Sequence, residues 1–532
     1  MMLPLLGVGL VVVALGVGVQ AGGSTSSATG GGIVRVALRA EDVDSLDPAL
    51  GYSVAAGILL ETTCARLVTH SPRGTAEGVP LVPEVASAMP RRSKDGRTYT
   101  FRLRSDVRFS DGTPVRASAF AHAINRVLAP GVKSPWAPYA VDIVGAEQVR
   151  AGRSEGAAGL EARGDTLVVR LKRPVPEFLV RSTAFCAVPP TLPADREGIA
   201  AFPAAGPYYV AEHLPGERAT IRRNPFYRGT RPQKVQGFDV DLRLPSPAAV
   251  LDRVERGTAD WGYALPTYYF EPARRLAEKY GVNRSRFFVR PGSTFRGYVF
   301  NTARPLFRNN PQLRRAVNFA IDRAALRNAG GGSLESTLTD QYLPPTMPGF
   351  RDARIYPLAR PDLRRARELA RGHTRSGRAV LYTVDSPEQL KFAQSVSANL
   401  AQIGLAVEVR GIPLPAYFGR LAANGPYDIG FQPWIPDYDD PFAVLNVLFD
   451  SRFIGTTNWG RFRSSTFDRL LRQAATTTGR ARYSAYGALD ARLARDAAPM
   501  AAVDVLNDAT LVSARVGCVG PQFDLSAICL KR

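Results

Sequence analysis

At 532 residues the chain is too long for one hydrophobic core, so two or three domains are expected. Its 45% apolar and 22% charged residues exclude a disordered polymer, and a single long apolar run excludes a multi-span membrane protein. The net charge of +21 raises a nucleic-acid partner, but only seven of the 68 basic residues are Lys, and the arginines are scattered without a recognition motif, so no nucleic acid is expected.

The apolar run covers residues 3–19 and is followed by Val19-Gln20-Ala21, a small-residue pattern suited to signal peptidase. Residues 1–21 therefore read as a secretory signal peptide and 22–32, rich in Gly, Ser and Thr, as a tether. No Lys or Arg precedes the run and its length is nearly that of a bilayer span, so an uncleaved anchor is the alternative. Either way the folded part is expected to be exported.

Residues 33–38 read as a strand, Ser45-Leu46-Asp47-Pro48 as a turn, and 57–67 as a helix. Between two Asp-Gly turns, Tyr99, Phe101 and Leu103 alternate with polar residues as in a half-buried strand. Phe120, Ile124, Val127 and Leu128 then follow at helical spacing. Another strand is expected at 166–171, closed by Pro174 and Pro176, and a strand pair at 206–210 and 219–223. A strand at 298–301 gives way to a helix presenting Leu313, Val317, Ala320 and Ile321. The basic stretch at 351–378 has Arg360, Arg364, Arg365, Arg367 and Arg371 spaced as on a solvated helix face. Strand 379–383, helix 387–403 and strand 406–409 form a βαβ unit, which implies a parallel sheet covered by helices and an α/β fold class.

Four cysteines, Cys64, Cys186, Cys518 and Cys529, fit two disulfides in an exported protein, and the sequence leaves three pairings open. Cys518 and Cys529 are close enough to staple the C-terminal tail. There is no CxxC, and His70, His122, His213 and His373 are far apart, so no metal site is expected. No cofactor motif appears. Nor is there a nucleophile elbow, an HExxH or a phosphate loop.

Eight segments, in order, carry a resemblance to the family 5 solute-binding proteins of ABC importers, the oligopeptide- and dipeptide-binding group. They are SLDP at 45–48, LVPEVA at 81–86, DGRTYTFRLRSDVRFSDGTP at 95–114, AAGPYYV at 204–210, RRNPFY at 222–227, VFNT at 299–302, LRRAVNFAIDR at 313–323 and YDIGFQPWIPDYDDP at 427–441. The resemblance implies a periplasmic-binding-protein-like class II clamp with two lobes and a subdomain inserted in lobe I. On that frame lobe I occupies 33–63, 184–290 and 503–532, its insertion 64–183, and lobe II 291–502. Cys64 and Cys186 then sit at the two joins of the insertion, which implies the pairs Cys64–Cys186 and Cys518–Cys529.

The resemblance also implies a ligand held between the lobes, extended and hydrogen-bonded through its backbone when it is a peptide. Asp437 matches the carboxylate that receives a ligand ammonium in such proteins, and a charge-assisted bond suits that task. Trp434 and Tyr438 would wall the site, and Tyr52, Ser53, Val54 and Trp136 are the matching contacts on the other lobe. Asp439 and Asp440 read as turn formers before Pro441. Phe431 and Ala422 stand where oligopeptide binders carry bases for the ligand carboxylate, with Arg420 nearby, so the solute is a peptide or another small molecule. Members also carry nickel, sugars, opines and antibiotics, and the scattered histidines argue against nickel.

The implied function is non-enzymatic: a monomeric receptor, periplasmic or on the outer face of the cytoplasmic membrane, delivering its solute to an ABC permease. Two alternatives stand beside it. One is an exported hydrolase using Asp437, Asp439 and Asp440 with Glu61 or Glu84; the other is a surface sensor built on the same clamp.

Overall fold

A computed structural model of the chain describes residues 31–71, 80–264, 270–520 and 523–531. The expected signal peptide and the tether up to residue 30 lie outside the described residues. Gly32 is within them, and its carbonyl accepts the Gln236 amide.

The described residues divide into two compact units, one drawn from those within 31–264, Lys279–Phe288 and 510–531, the other chiefly from Val289–Ala509. The first unit is built on a five-stranded sheet in the order Trp261–Gly262, Ile33–Ala37, Gly237–Asp241, Arg218–Arg223, Tyr208–Leu214. Ile33–Ala37 runs parallel to both its neighbours, while the last two pairings are antiparallel. Val34, Val36, Tyr208, Ile221, Phe238 and Val240 alternate into one buried core, as period-2 patterning requires.

The first unit also holds a four-stranded antiparallel sheet, ordered Arg91–Arg92, Thr98–Arg102, Thr166–Arg170, Leu160–Arg163. Tyr99, Phe101 and Leu103 are buried, and helix Ala117–Leu128 covers the sheet with Phe120, Ile124, Val127 and Leu128 inward. Thr166–Arg170 is an interior strand, so Pro174 and Pro176 mark an exit and not a sheet edge. The helix expected at 57–67 runs instead over Val54–Thr63. It starts earlier because the Ser53 hydroxyl caps it, and stops at Cys64, whose backbone is extended. Cys64 is bonded to Cys186, and Cys518 to Cys529.

The second unit carries a six-stranded sheet ordered Ser336–Leu338, Met500–Leu511, Phe287–Phe300, Ile429–Trp434, Arg378–Val384, Ala406–Ile412. The βαβ unit is present, with helix Pro387–Ala401 joining two parallel strands. The sheet as a whole is mixed, however, because Phe287–Phe300 runs antiparallel to Ile429–Trp434 and Ser336–Leu338 antiparallel to Met500–Leu511. A wholly parallel sheet is therefore corrected.

The strand expected at 298–301 begins at Phe287. Pro291 and Gly292 disguise its first half, yet Gly292 belongs there: a Cβ would stand 2.5 Å from the Leu506 carbonyl oxygen of a neighbouring strand. Helix Pro311–Ala320 buries Leu313, Val317 and Ala320, with Asn310 accepting the Leu313 amide at its start. Helix Leu363–Ala370 buries only Ala366 and Ala370, so its arginines are a solvated face. Among the described residues no helix is long and apolar enough to cross a membrane.

Candidate functional site

The SLDP turn organises the first unit's share of the expected site residues. Asp47 is fully buried; one carboxylate oxygen accepts the Ala49 amide, the other the Ile199 amide, and both meet Arg126, at 3.2 and 2.7 Å. A buried carboxylate so fully satisfied is an architectural group, not a free ligand anchor. Downstream, the Tyr52 and Ser53 amides both donate to Asp44, and the Ser53 hydroxyl donates to the Asp42 carbonyl at 2.6 Å while accepting the Ala56 amide. The Ser53 side chain is thus a helix cap; it is half-buried, as are Tyr52 and Val54.

Trp136 is buried and its indole nitrogen donates to the Gly51 carbonyl at 3.0 Å. Its ring meets Tyr52 edge-on at 5.0 Å and Tyr139 at 5.4 Å. The Ser134 hydroxyl, which accepts the Trp136 amide, pins the segment to the Ala49 carbonyl. Tyr52, Ser53, Val54 and Trp136 therefore do come together, in one aromatic corner whose polar groups are largely committed internally.

In the second unit, strand Ile429–Trp434 carries Phe431 and Trp434. Phe431 pairs with Tyr298 and Trp434 with Phe295 across the antiparallel ladder. The Phe431 ring lies 5.8 Å from Tyr298 and lines a cavity of about 20 Å³ with Arg296, Phe392 and Asp504, room for roughly a single water. The Trp434 indole donates to the Ala443 carbonyl at 2.8 Å, fixing the turn that follows. Asp437 is half-buried and Tyr438 buried in that turn. Arg420 is exposed on helix Leu414–Ala422.

The adjacent carboxylates have separate roles. Asp440 accepts the Phe442 amide at 2.9 Å and forms a two-pronged ion pair with Arg482, at 2.9 and 2.6 Å, so its turn-forming role holds with a buried charge partner added. Asp439 has one carboxylate oxygen buried without a hydrogen-bond partner, and burial, with the Asp440 charge beside it, pushes its pKa well above the usual carboxylate range. Gln432, nearly inaccessible, has its side-chain nitrogen buried without an acceptor. Segment 431–440 thus holds one orphan acceptor and one orphan donor, departures from the rule that buried polar groups are paired. It leads into a π-helical turn, Phe442–Asn446, a form that recurs at functional sites.

Sequence reasoning missed the ionic cluster beneath Phe431. Arg296 meets Asp504 at 2.8 and 2.6 Å and Glu335 at 2.7 Å, and Ser336 donates to Asp504. Burial opposes the Arg296 charge, yet Asp504 and Glu335 together hold its pKa above the ordinary value. Burial raises Glu335 and Glu388. The missed signal was an Arg near the head of the run Phe295-Arg296-Gly297-Tyr298-Val299-Phe300, otherwise without charge, where an unpaired buried charge would be prohibitive.

The hydrolase alternative needed Glu61 or Glu84 as a reacting group. In the structure Glu61 pairs with Arg66 at 2.8 Å and Glu84 with Arg231 at 2.7 Å, a network that also ties Arg231 to the Glu61 and Cys64 carbonyls. Both carboxylates belong to the packing around Cys64. Among the described residues no group of three or more His, Cys, Asp or Glu is arranged to hold a metal ion.

Residues 80–455 match the family described as bacterial extracellular solute-binding proteins, family 5. The oligopeptide-binding protein OppA of Bacillus subtilis is 27% identical over 462 residues, covering 82% of this chain and 80% of that one. A probable deoxycholate-binding periplasmic protein of Escherichia coli, YgiS, is 28% identical over 72% of each chain. Among solved structures, the clavulanic acid biosynthesis oligopeptide binding protein 2 superposes with a TM-score of 0.84 at 25% identity, covering 95% of this chain and 96% of that one. The two-unit α/β fold and the ordered motifs agree with that match over most of the chain: it belongs to the family 5 bacterial extracellular solute-binding proteins.

Proposed function

We propose that this protein captures a peptide, or a similar small solute with a cationic terminus, outside the cytoplasmic membrane and hands it chemically unchanged to an ABC permease. It works as a monomer, exported to the periplasm or the outer face of that membrane, and has no enzymatic activity. The lobes are bounded as the family resemblance implies, with 64–183 as the insertion that the Cys64–Cys186 bond ties off. Tyr52, Ser53, Val54 and Trp136 on one unit and Phe431, Trp434, Asp437 and Tyr438 on the other are the ligand contacts.

The observation that carries this reading is the pair of unsatisfied buried groups on one segment, the Asp439 oxygen and the Gln432 nitrogen. A peptide carries groups of the kinds that both lack, N–H donors or an ammonium for a carboxylate and a carbonyl for an amide, and the turn would have to open for it to reach them. The names of the Bacillus and clavulanic-acid relatives point to oligopeptides. An uncharged or hydrophobic solute is the second reading, favoured by Phe431 in place of a base; the name of the probable deoxycholate-binding relative adds a ligand whose steroid body is hydrophobic.

Native mass spectrometry of the purified protein identifies the co-purified solute, and calorimetry with that solute tests the site. For a cargo with an ammonium, Asp437→Asn weakens binding by about 1.5–3 kcal/mol. Ionisation of Asp439 on cation binding also makes the measured heat depend on the buffer's own protonation enthalpy. An unchanged dissociation constant removes Asp437 from the site, and an apolar cargo with buffer-independent heat replaces the first reading by the second.

A further inference from the structure

The second unit contains an open cavity of about 410 Å³ that the solute-binding reading does not use. Four arginines line it, Arg308, Arg314, Arg461 and Arg463, together with Asn309 and Asn424, and no carboxylate does. Among the described residues none of the four arginines has an ion-pair partner. Arg308 and Arg463 are exposed, without a side-chain hydrogen bond. Arg314 is 6% exposed, and its guanidinium donates only to neutral carbonyls, those of Ala497 at 2.8 Å and Phe307 at 2.7 Å. Burial pushes its pKa down to about 10, the sign of a cation short of a counter-charge. Arg461 donates to the Ala422 carbonyl at 2.6 Å, and its Nε is buried without an acceptor.

The backbone around the cavity is strained as well. Of the eight non-glycine residues with positive φ among the described residues, Asn309, Asn424 and Arg461 all line it, at φ 51°, 62° and 50°. Asn tolerates that conformation, but Arg has no local reason to adopt it. Thr302 holds the Arg461 turn in place: its amide donates to the Gly460 carbonyl at 2.8 Å, and its hydroxyl is within donating reach of the Gly460 and Arg461 carbonyls, at 3.1 and 3.0 Å. Strain of this kind persists where surrounding structure over-determines a functional geometry.

From the cavity, its uncompensated guanidinium groups and the strained turn that presents Arg461, we infer that this face binds a small multivalent oxyanion of the phosphate class. Arginine suits the task because its planar fork matches phosphate oxygens two at a time and is weakly hydrated. The volume exceeds that of one phosphate group, so a diphosphate or a phosphorylated small molecule fits better than the bare ion. This inference does not depend on the identity of the transported solute.

The test is calorimetry of the whole mature protein with inorganic pyrophosphate at low ionic strength. The wild type gives saturable one-to-one binding, and Arg308→Gln/Arg463→Gln, two exposed changes that leave the core intact, weakens it by about ten-fold or more. Arg364→Gln/Arg365→Gln, on the solvated helix Leu363–Ala370, removes the same charge elsewhere and leaves binding unchanged. Absence of saturable binding, or equal loss in both double variants, overturns the inference. Sedimentation with phosphatidylglycerol vesicles separates the sources of the anion. Retention that pyrophosphate displaces and Arg308→Gln/Arg463→Gln abolishes assigns a lipid headgroup, whereas pyrophosphate binding without vesicle retention assigns a free solute. Retention indifferent to that variant, with no pyrophosphate binding, also overturns it.

Discussion

Asp47 and Asp440 sit in two of the family-like motifs of the chain, and both are consumed by the fold. Asp47 is locked to Arg126 and Asp440 to Arg482, each through two short contacts at buried positions. A motif therefore does not say which of its residues are free of commitments within the fold. Ser53 and Trp136 repeat the lesson, since the hydroxyl of one caps a helix and the indole N–H of the other is spent on Gly51. The residues that stand out chemically, Asp439 and Gln432, do so through unsatisfied burial, which depends on contacts far apart in sequence. The Asp47–Arg126 pair gives a direct test. Arg126→Ala leaves Asp47 buried without its counter-ion and is expected to destabilise the protein by about 3–5 kcal/mol, whereas Asp47→Asn/Arg126→Met recovers a substantial part of that loss. Urea unfolding of the two variants measures both, and equal stability of Arg126→Ala and wild type would show the pair to be dispensable.

At the level of elements, helices and strands with clean periodicity were legible: strand Thr98–Arg102, helix Ala117–Leu128, helix Pro311–Ala320 and the βαβ unit all lie where patterning places them. The strand Phe287–Phe300 was half-hidden because both faces are covered along its second half, which erases alternation, and because Pro291, Gly292 and Gly297 read as turn residues. In the sheet those glycines let neighbouring backbones approach. At Gly297 a Cβ would lie 2.6 Å from the Ala501 carbonyl oxygen, an atom that cannot move without shifting a strand. Gly297→Ala is accordingly expected to cost about 1–3 kcal/mol, as overpacking does in a tight interior. The loss is read as a lower denaturation midpoint with an unchanged slope against denaturant. A variant as stable as the wild type would mean that Met500–Leu511 is free to shift. The mixed sheet has the same origin, since its antiparallel pairings join segments well separated in sequence, which local patterning does not report.

For the molecule as a whole, charge and cross-linking are distributed unequally between the two units, and the inequality predicts separate responses. Cys64, Cys186, Cys518 and Cys529 all belong to the first unit, so reduction acts on that unit alone. Closing 122 residues with Cys64–Cys186 is worth about 4–5 kcal/mol in the chain-entropy picture, and reduction should lower that unit's thermal transition by many degrees. The second unit responds to pH instead. Burial pushes Asp490 up to about 7 and raises Asp439, Glu335 and Glu388. A carboxyl with a folded pKa above its unfolded value keeps a proton that the unfolded chain releases. Its stabilising contribution is therefore full below about pH 4 and is lost as pH climbs through about 7. In the first unit Asp260, Asp241 and Glu61 are held below their ordinary values by arginine partners, so their contribution has the opposite sign, with half-buried Asp524 an exception. Calorimetric scans should then resolve two transitions. Adding reductant at fixed pH moves one of them, and raising the pH from about 5 to about 7.5 without reductant lowers the other by several degrees. Asp490→Asn should flatten the pH response of that second transition while leaving its partner where it was. A single transition that both treatments move together would show that the units unfold as one body and that the two levers are not independent.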